Sequence, residues 1–218
     1  MLKGLIFDVD ETLVYYEGYD HREWFENWVK PELEKRGIKL DYSLYSKTAR
    51  LELPRTYVKK LGINPVELWR IIDEVNWKYR KKMLAEGKIK VFPDADALEE
   101  LKNLGLKLAA VSNASLENAL LVLRAFDLER YFDAVFGKDY ANLDGVKPNP
   151  YLIHKALKAL ELQPNEVLVV GDSENDILAA HRAGVKAVNV VRFGRVEGAD
   201  YYVDSLWELL ELIRNNPV

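Results

Sequence analysis

The chain has no cysteine among its 218 residues and only two methionines. The absence of cysteine excludes disulfides, zinc ribbons, iron–sulfur clusters held by thiolates, and thiol nucleophiles. No apolar run reaches the roughly 18 residues that a membrane helix needs. The first ten residues, MLKGLIFDVD, also lack the basic, apolar and small-residue order of a signal peptide. We therefore expect a cytoplasmic protein without a membrane partner.

Positive charge is not in excess either, because 31 basic residues stand against 35 acidic ones and leave a net charge of -4. The sequence isoelectric point is about 5.6, and no run of five Lys or Arg occurs. Non-specific nucleic-acid binding thus has no electrostatic basis, although a local basic patch could still exist, and no nucleic-acid partner is expected. Hydrophobic residues make up 49% of the chain, enough for a sizeable core. We expect a monomer or a weak homodimer.

Short apolar runs that end in polar residues recur along the chain. They cover residues 5–10, 106–112, 133–136, 167–172 and 187–191. Each run is followed by a helical pattern. Asp94, Ser115 and Asn149 stand where three of these helices would begin. Strands alternating with helices predict an α/β fold with a Rossmann-like, doubly wound and mainly parallel sheet. In such sheets ligands bind at the carboxyl ends of the strands.

Residues 15–91 break this alternation, contain no convincing strand and are helical by pattern. They hold four of the five tryptophans: Trp24, Trp28, Trp69 and Trp77. Aromatic packing inside a small helical bundle explains these tryptophans better than a ligand cage. Arg50 and Arg55 could meet an anionic substrate, but arginines on a small helical bundle are usually solvated, and we expect that for both. The sequence therefore predicts a core of residues 1–14 and 92–218 with an inserted helical cap domain.

Acidic residues follow the first predicted strand, where Asp8 and Asp10 lie two positions apart and leave the same face of an extended chain. Two carboxylates that close together raise each other's pKa unless a cation or a shared proton neutralises them. Other predicted strand ends and loops supply further polar groups: Ser112, Asn113, Lys147, Asp172 and Asp176. Taken singly, Ser112 could equally be a helix cap and Lys147 a solvated loop charge. Together they supply what phosphoryl transfer requires, a nucleophile, positive charge, hydrogen-bond donors and an acid.

These elements resemble, in sequence order, the four motifs of the haloacid dehalogenase-like (HAD) hydrolase superfamily. The matching elements are Asp8-Val9-Asp10-Glu11-Thr12, Ser112, Lys147 and the segment GDSEND from Gly171. The resemblance covers the whole chain, because residues 15–91 look like the helical, C1-type cap of that family. It implies a Mg²⁺-dependent phosphatase that hydrolyses a small phosphorylated metabolite.

The resemblance also implies a role for each matching residue. Asp8 would be the nucleophile that forms an aspartyl-phosphate, and Asp10 the general acid and base. The Mg²⁺ ligands would be Asp8, the backbone carbonyl of Asp10, and Asp172. Phosphoryl oxygens would be held by Ser112, Asn113 and Lys147. Asp176 and Thr12 would orient the other groups.

One position departs from the family pattern, since Glu11 stands where the first motif most often has glycine. The acid at Asp10 favours a phosphatase over dehalogenating and phosphonate-cleaving members, which lack an acid there. Two alternatives stay open: a phosphomutase of the same fold, and a non-catalytic phospho-ligand-binding or regulatory protein. A phospho-receiver module is disfavoured, because it has no long helical insert and carries its phosphorylated acid on a later strand.

Overall fold

The computed structural model describes residues 1–215. The strands are β1 Gly4–Phe7, β2 Val14–Tyr16, β3 Ile89–Val91, β4 Lys107–Ser115, β5 Ala134–Lys138, β6 Val167–Gly171, β7 Lys186–Val190 and β8 Tyr201–Val203. Six of them form one sheet in the order β5-β4-β1-β6-β7-β8, and every pair is parallel. Helices connect the successive strands of this sheet as far as β7, and a loop without a helix leads from β7 to β8, so the predicted Rossmann-like α/β class is confirmed.

Several of the described α-helices begin after an Asp, Asn or Ser whose side chain caps the first turn. The described α-helices are α1 His21–Trp24, α2 Lys30–Lys35, α3 Tyr42–Ala49, α4 Pro65–Ala85, α5 Ala97–Asn103, α6 Leu116–Ala125, α7 Tyr151–Leu160, α8 Glu174–Arg182 and α9 Leu206–Asn215. The predicted cap Ser115 accepts a hydrogen bond from the Asn118 backbone N–H (3.3 Å). Pro150 occupies the N-cap position of α7, and the predicted cap Asn149, one residue earlier, accepts a hydrogen bond from the Tyr151 backbone N–H (3.0 Å). None of the described helices is long and apolar enough to cross a membrane.

β1 lies in the middle of the main sheet, between β4 and β6, and all four of its residues are buried. Leu5 pairs with Leu108 of β4 on one side and with Leu168 of β6 on the other. The chain thus winds away from β1 first towards β5 and later towards β8. At such a reversal the connecting helices leave on opposite faces, which opens a crevice at the carboxyl ends of the adjacent strands. The ends of β1, β4 and β6 therefore meet at one place.

Three local expectations were wrong. β2 and β3 lie at the ends of the segment predicted to lack strands, and they pair with each other in a separate two-stranded sheet. β8 was not predicted, because three residues at a sheet edge carry too little pattern. Asp94 does not begin a helix, since it lies inside the 3₁₀ turn Pro93–Asp96 that precedes α5. Its carboxylate accepts hydrogen bonds from Arg192 and the Leu206 backbone instead.

The chain divides into two compact units. The first contains the main sheet and comprises Met1–Tyr15, Lys90–Lys138 and the described residues from Gly145 onward. The second comprises Tyr16–Ile89 and Asp139–Asp144. Residues 139–144 had been expected within the core. That the helical unit acts as a cap stays a prediction.

Aromatic and aliphatic side chains fill the interior of the second unit. The large buried ones are Trp24, Phe25, Leu33, Tyr45, Leu68, Trp69 and Ile72. A π-helical turn, Phe25–Val29, precedes Pro31, whose missing N–H interrupts the regular helical ladder.

Arg55 was expected to be solvated, but it is 3% exposed. Its guanidinium carbon lies 4.2 Å from the centre of the Trp69 ring, and its Nη1 donates to the Leu143 carbonyl (3.3 Å). The Arg55 backbone N–H donates to the carboxylate of Asp144 (2.7 Å). These long-range bonds explain why residues 139–144 belong with the helical unit.

Candidate active site

A cleft of about 260 Å³ opens at the carboxyl ends of the central strands of the first unit. It is lined by Asp8, Asp10, Glu11, Ser112, Asn113, Lys147, Asp172, Ser173, Asn175 and Asp176. The structure thus brings together the predicted catalytic, phosphate-binding and metal-binding side chains, although they come from four separate stretches of chain. Glu11, Ser173 and Asn175 had not been singled out as site residues. The S-x-x-D spacing of Ser173 and Asp176, a helix-capping signal, could have identified Ser173.

Asp8 is the first residue after β1 and continues its pairing with β6. Its backbone N–H donates to the Val170 carbonyl (2.9 Å), so the backbone at the carboxylate is fixed by the sheet. The side chain is buried, with Oδ1 in contact with the Lys147 ammonium and Oδ2 3.2 Å from the Thr12 hydroxyl. The arrangement holds one carboxylate rigidly at the base of the cleft.

Lys147 is buried at 4% exposure and is not the solvated loop charge that its position alone allowed. Its Nζ donates to Asp8 Oδ1, to Asp176 Oδ1 (2.6 Å) and to the Val111 carbonyl (3.1 Å). Three N–H donors therefore have three acceptors. A buried ammonium persists only when it is paired in this way.

The end of β4 positions Lys147 and the predicted general acid through a local irregularity. The register of β4 against β5 shifts between Val111 and Ser115, and Ser112 and Asn113 lie in that shift. The Asn113 amide donates to the Lys147 carbonyl (2.9 Å) and accepts from the Lys147 backbone N–H (2.8 Å). The Ser112 hydroxyl donates to Asp10 Oδ2 (3.3 Å). Asn113 thus holds the Lys147 backbone, and Ser112 contacts the carboxylate of Asp10.

The turn after β6 places two more carboxylates beside Asp8. Asp172 Oδ1 accepts from the Thr12 hydroxyl (2.6 Å). Asp176 Oδ2 accepts from the Ser173 hydroxyl (2.5 Å) and backbone N–H (3.1 Å), which closes a capping box at the start of α8. A side chain at Gly171 would come within 2.4 Å of Asp176, so this close approach requires glycine.

Burial and mutual repulsion raise the pKa values of two carboxyl groups in the cleft. Burial raises the pKa of Asp8 well above 3.8; Lys147 opposes this rise, and the carboxylates of Asp176, Asp172 and Asp10 add to it. Burial and then Asp176 raise the pKa of Asp172 to about 6. Burial alone would lower the pKa of Lys147, but Asp176 and Asp8 raise it above its usual value. Negative charge therefore exceeds positive charge in this cleft.

This donor set fits a divalent metal ion. Asp8, Asp172 and Asp176 each place one oxygen within 4.8 Å of the others. Lys147 alone cannot neutralise three carboxylates, and a divalent cation would remove the remaining repulsion. Carboxylate and carbonyl oxygens are the hard ligands that Mg²⁺ takes in proteins. The side chains present thus match Mg²⁺ both in ligand type and in charge.

Glu11 adopts a left-handed backbone conformation with φ of 65°. Glycine populates this region without steric cost, whereas a side chain is strained there. The Glu11 backbone N–H donates to the Val14 carbonyl (2.6 Å) and so closes the tight turn after Asp10. This geometry explains why glycine is the common residue at the position.

The chain is similar to proteins of known name over most of its length. The model of the haloacid dehalogenase-like hydrolases matches residues 2–184. Pyrophosphatase PpaX of Halalkalibacterium halodurans is 33% identical over 151 residues, 65% of this chain and 69% of that protein. Phosphoglycolate phosphatase of Nitrosospira multiformis is 38% identical over 128 residues, 56% of this chain and 55% of that protein. The matches thus span about half to two thirds of the curated relatives.

Solved structures show the same fold. CbbY from Rhodobacter sphaeroides, crystallised in complex with phosphate, superposes with a TM-score of 0.69 at 24% identity, covering 96% of each chain. A predicted phosphatase from Clostridium acetobutylicum superposes with a TM-score of 0.69 at 23% identity, covering 99% of this chain and 100% of that one. The motifs, the sheet order and the matched family model agree, and the chain belongs to the haloacid dehalogenase-like hydrolases.

Proposed function

We propose that this protein is a phosphatase that hydrolyses a small phosphorylated metabolite through an aspartyl-phosphate on Asp8. The observation that carries the proposal is the contact of the buried Asp8 carboxylate with the Lys147 ammonium at the base of the cleft. A nucleophile held beside a fixed positive charge suits attack on a phosphate group, because the charge also stabilises the equatorial oxygens in the transition state.

The proposed chemistry proceeds in two displacements. In the first, an Asp8 carboxylate oxygen bonds to phosphorus while the bond from phosphorus to the ester oxygen breaks, and Asp10 gives its proton to that leaving oxygen. In the second, Asp10 takes a proton from water as the water oxygen attacks phosphorus, which releases Asp8 and inorganic phosphate. The Ser112 hydroxyl, 3.3 Å from Asp10 Oδ2, is placed to orient this acid.

Mg²⁺ completes the proposed site. Asp8, Asp172 and the backbone carbonyl of Asp10 would hold it, while Asp176 is already engaged by Lys147 and Ser173. The bound ion would supply positive charge for the phosphoryl oxygens and for the carboxylate cluster. The Thr12 hydroxyl orients Asp172 and Asp8 for this task.

The named relatives include pyrophosphatases and phosphoglycolate phosphatases, so pyrophosphate and phosphoglycolate are the first candidate substrates. We infer action in the cytoplasm, without nucleic-acid partners. Turnover of p-nitrophenyl phosphate, phosphoglycolate, pyrophosphate and sugar phosphates, each with magnesium or chelator, tests the proposal. Magnesium-dependent release of phosphate from at least one of them is expected. Absence of turnover with all of them would favour the non-catalytic alternative, and phosphate transfer between sugar positions would favour a mutase.

Magnesium should stabilise the folded protein. Binding to the native state alone contributes about 2.7 kcal/mol at a hundred times the dissociation constant, which corresponds to a rise of roughly 5–10 °C in the melting temperature. Asp172→Asn should flatten this rise, whereas Asp204→Asn, at an exposed position, should keep it. Melting curves with magnesium and with chelator measure both effects. The same wild-type melting temperature in magnesium and in chelator would contradict the proposed metal site.

The magnesium effect should also depend on pH. A carboxyl group whose folded pKa is raised holds its proton better in the folded state, so its contribution to stability is lost as pH rises through the folded pKa. Because the pKa of Asp172 is raised from 3.8 to about 6, this loss should appear in chelator between those values. Ligand oxygens must be deprotonated, so the magnesium-induced rise in melting temperature should be larger at pH 8 than at pH 5.

We also propose that the helical unit, predicted from residues 15–91, is a cap that selects the substrate. Replacing Tyr16–Ile89 by a short linker should leave a core that hydrolyses p-nitrophenyl phosphate, while its discrimination among natural phosphates collapses. The design must allow for residues 139–144, which lose the bond from the Arg55 backbone to Asp144 and the bond from Tyr140 to Asp73 (2.8 Å). A core that folds and keeps wild-type selectivity would contradict the proposed role.

A further inference from the structure

Arg192 lies in the loop after β7 and does not line the cleft. Its side chain is nevertheless only 6% exposed. The Nε and Nη2 atoms both donate to the backbone carbonyl of Thr12, at 3.1 and 2.9 Å. Burying a guanidinium is costly unless its charge and donors are matched, so the surroundings of Arg192 must compensate for that cost.

Asp94 and Phe92 provide that compensation. Nη1 and Nη2 of Arg192 donate to the two carboxylate oxygens of Asp94 at 2.8 and 2.9 Å, a bidentate pair of fixed geometry. Asp94 Oδ2 also accepts from the Leu206 backbone N–H at the start of α9 (2.7 Å). The Phe92 ring centre lies 3.9 Å from the guanidinium carbon. The ion pair is thus rigid, and we call Arg192 with Asp94 the Arg192–Asp94 brace.

Thr12 links this brace to the cleft. Its carbonyl is held by Arg192, while its hydroxyl donates to Asp172 Oδ1 (2.6 Å) and lies 3.2 Å from Asp8 Oδ2. Thr12 is completely buried, so no solvent competes for either group. Because one residue carries both contacts, the position of the Thr12 backbone determines where its hydroxyl meets the two carboxylates.

We propose that the Arg192–Asp94 brace is a positioning element for phosphoryl transfer, acting through Thr12 on Asp8 and Asp172. The inference rests on the proposed function. Two charge-assisted bonds to one carbonyl restrain the turn that follows the nucleophile. Relaxing such a turn by about an ångström costs on the order of a hundredfold in rate, because the reacting atoms lose their alignment.

A purely structural role is the competing account, since Asp94 also holds the first residue of α9. The two accounts separate when α9 is destabilised by a route that leaves Arg192 untouched. Leu209 is a fully buried residue of α9, and Leu209→Ala creates a cavity that destabilises the fold. It should therefore lower the melting temperature while it leaves the Thr12 contacts in place.

The test compares Arg192→Met, Thr12→Val, the double variant and Leu209→Ala, with p-nitrophenyl phosphate as substrate. Arg192→Met should lower kcat about 10- to 100-fold with KM within about twofold, because the geometry of attack changes while the groups lining the cleft stay. The double variant should be no worse than Thr12→Val, since contacts that act through one residue are not additive. Leu209→Ala should keep kcat. Arg192→Lys keeps the positive charge but loses the bidentate guanidinium geometry, so its kcat should lie between those of wild type and Arg192→Met. It replaces Arg192→Met in the comparison if that variant does not fold.

Two results would overturn the proposal: additive kcat losses in the double variant, or an equal kcat loss in Leu209→Ala at a matched drop in melting temperature. A second measurement, the magnesium-induced rise in melting temperature, needs no turnover. It should be smaller in Arg192→Met than in Leu209→Ala, because displaced carboxylates bind the ion less well. If the wild-type protein turned over no phosphate ester, the proposed function would fail. The magnesium-induced rises in melting temperature of Arg192→Met and Leu209→Ala would then still test whether the brace positions Asp8 and Asp172.

Discussion

Asp8→Asn should lower phosphate-ester turnover by at least roughly a thousandfold, because the substitution removes the proposed nucleophile and an amide does not replace it. The fold should be retained. Asparagine has nearly the same shape, and the change removes one negative charge from a cleft in which Asp172 and Asp176 already repel Asp8. Steady-state kinetics and a melting curve measure the two effects on the same sample.

Asp204→Asn is the matched control for this loss. The residue is exposed and lies outside the cleft, so the same chemical change there should leave turnover within about twofold of wild type, as surface substitutions generally do. Retention of a tenth of wild-type turnover by Asp8→Asn would exclude Asp8 as the nucleophile. Loss of turnover together with loss of the folding transition would show only that the variant is unfolded.

Lys147→Met should reduce kcat/KM by at least about a hundredfold, because the ammonium is the positive charge placed to stabilise the transferring phosphoryl group. Removing one partner of a buried ion pair also costs about 3–5 kcal/mol of stability, since Asp8 and Asp176 keep their charge without their shared partner. Magnesium should offset part of this cost. Melting curves in chelator and in magnesium, beside steady-state kinetics, measure these effects.

The pH profile distinguishes this role from simple destabilisation. Lys147 lowers the pKa of Asp8, so its removal should raise that pKa further. The nucleophile must be ionised, and the acidic limb of the kcat/KM profile should therefore move to higher pH in Lys147→Met. Lys107→Met removes another lysine, whose Nζ donates to the Leu160 carbonyl away from the cleft (2.6 Å), and it should leave the profile unchanged. An unchanged acidic limb in Lys147→Met would contradict the proposed electrostatic role.

The parts of this molecule that could be predicted from sequence are those that a local pattern encodes. β1 and β6 are buried on both faces, so they appear as apolar runs, and Asp8 and Asp172 mark their ends. In a doubly wound sheet the carboxyl ends of the strands lie close together where the strand order reverses. Asp8 and Asp172, 164 positions apart, could therefore be expected to lie side by side. Glu11 alone departed from the motif, and its φ of 65° explains the usual glycine.

The parts that could not be predicted depend on contacts between distant segments. Asp94 has the sequence pattern of a helix cap, but its carboxylate accepts hydrogen bonds from Arg192, 98 positions away. Arg55 was predicted to be solvated, but it is buried by contacts with Trp69 and with the segment 139–144. No local sequence pattern indicates that these segments pack against Arg55. Asn113 looked like a phosphate ligand, yet its amide is bonded to the Lys147 backbone, and its role towards phosphate stays a prediction. Tertiary hydrogen bonds of this kind leave no mark on local sequence.

We expect the phosphoryl group to pass through Asp8 during turnover, and acid quenching of the wild-type protein while it turns over tests this most directly. The quenched protein should carry one phosphoryl group, and peptide mapping should locate it at Asp8, since an acyl-phosphate accumulates when its hydrolysis is the slower step. Borohydride reduction should convert the same residue to homoserine. With p-nitrophenyl phosphate, whose nitrophenolate leaves without needing a proton, Asp10→Asn should raise the trapped fraction because Asp10 activates the water. Turnover in which the phosphoryl group is found on another residue, or in which water attacks the ester directly while Asp8→Asn stays active, would contradict the account.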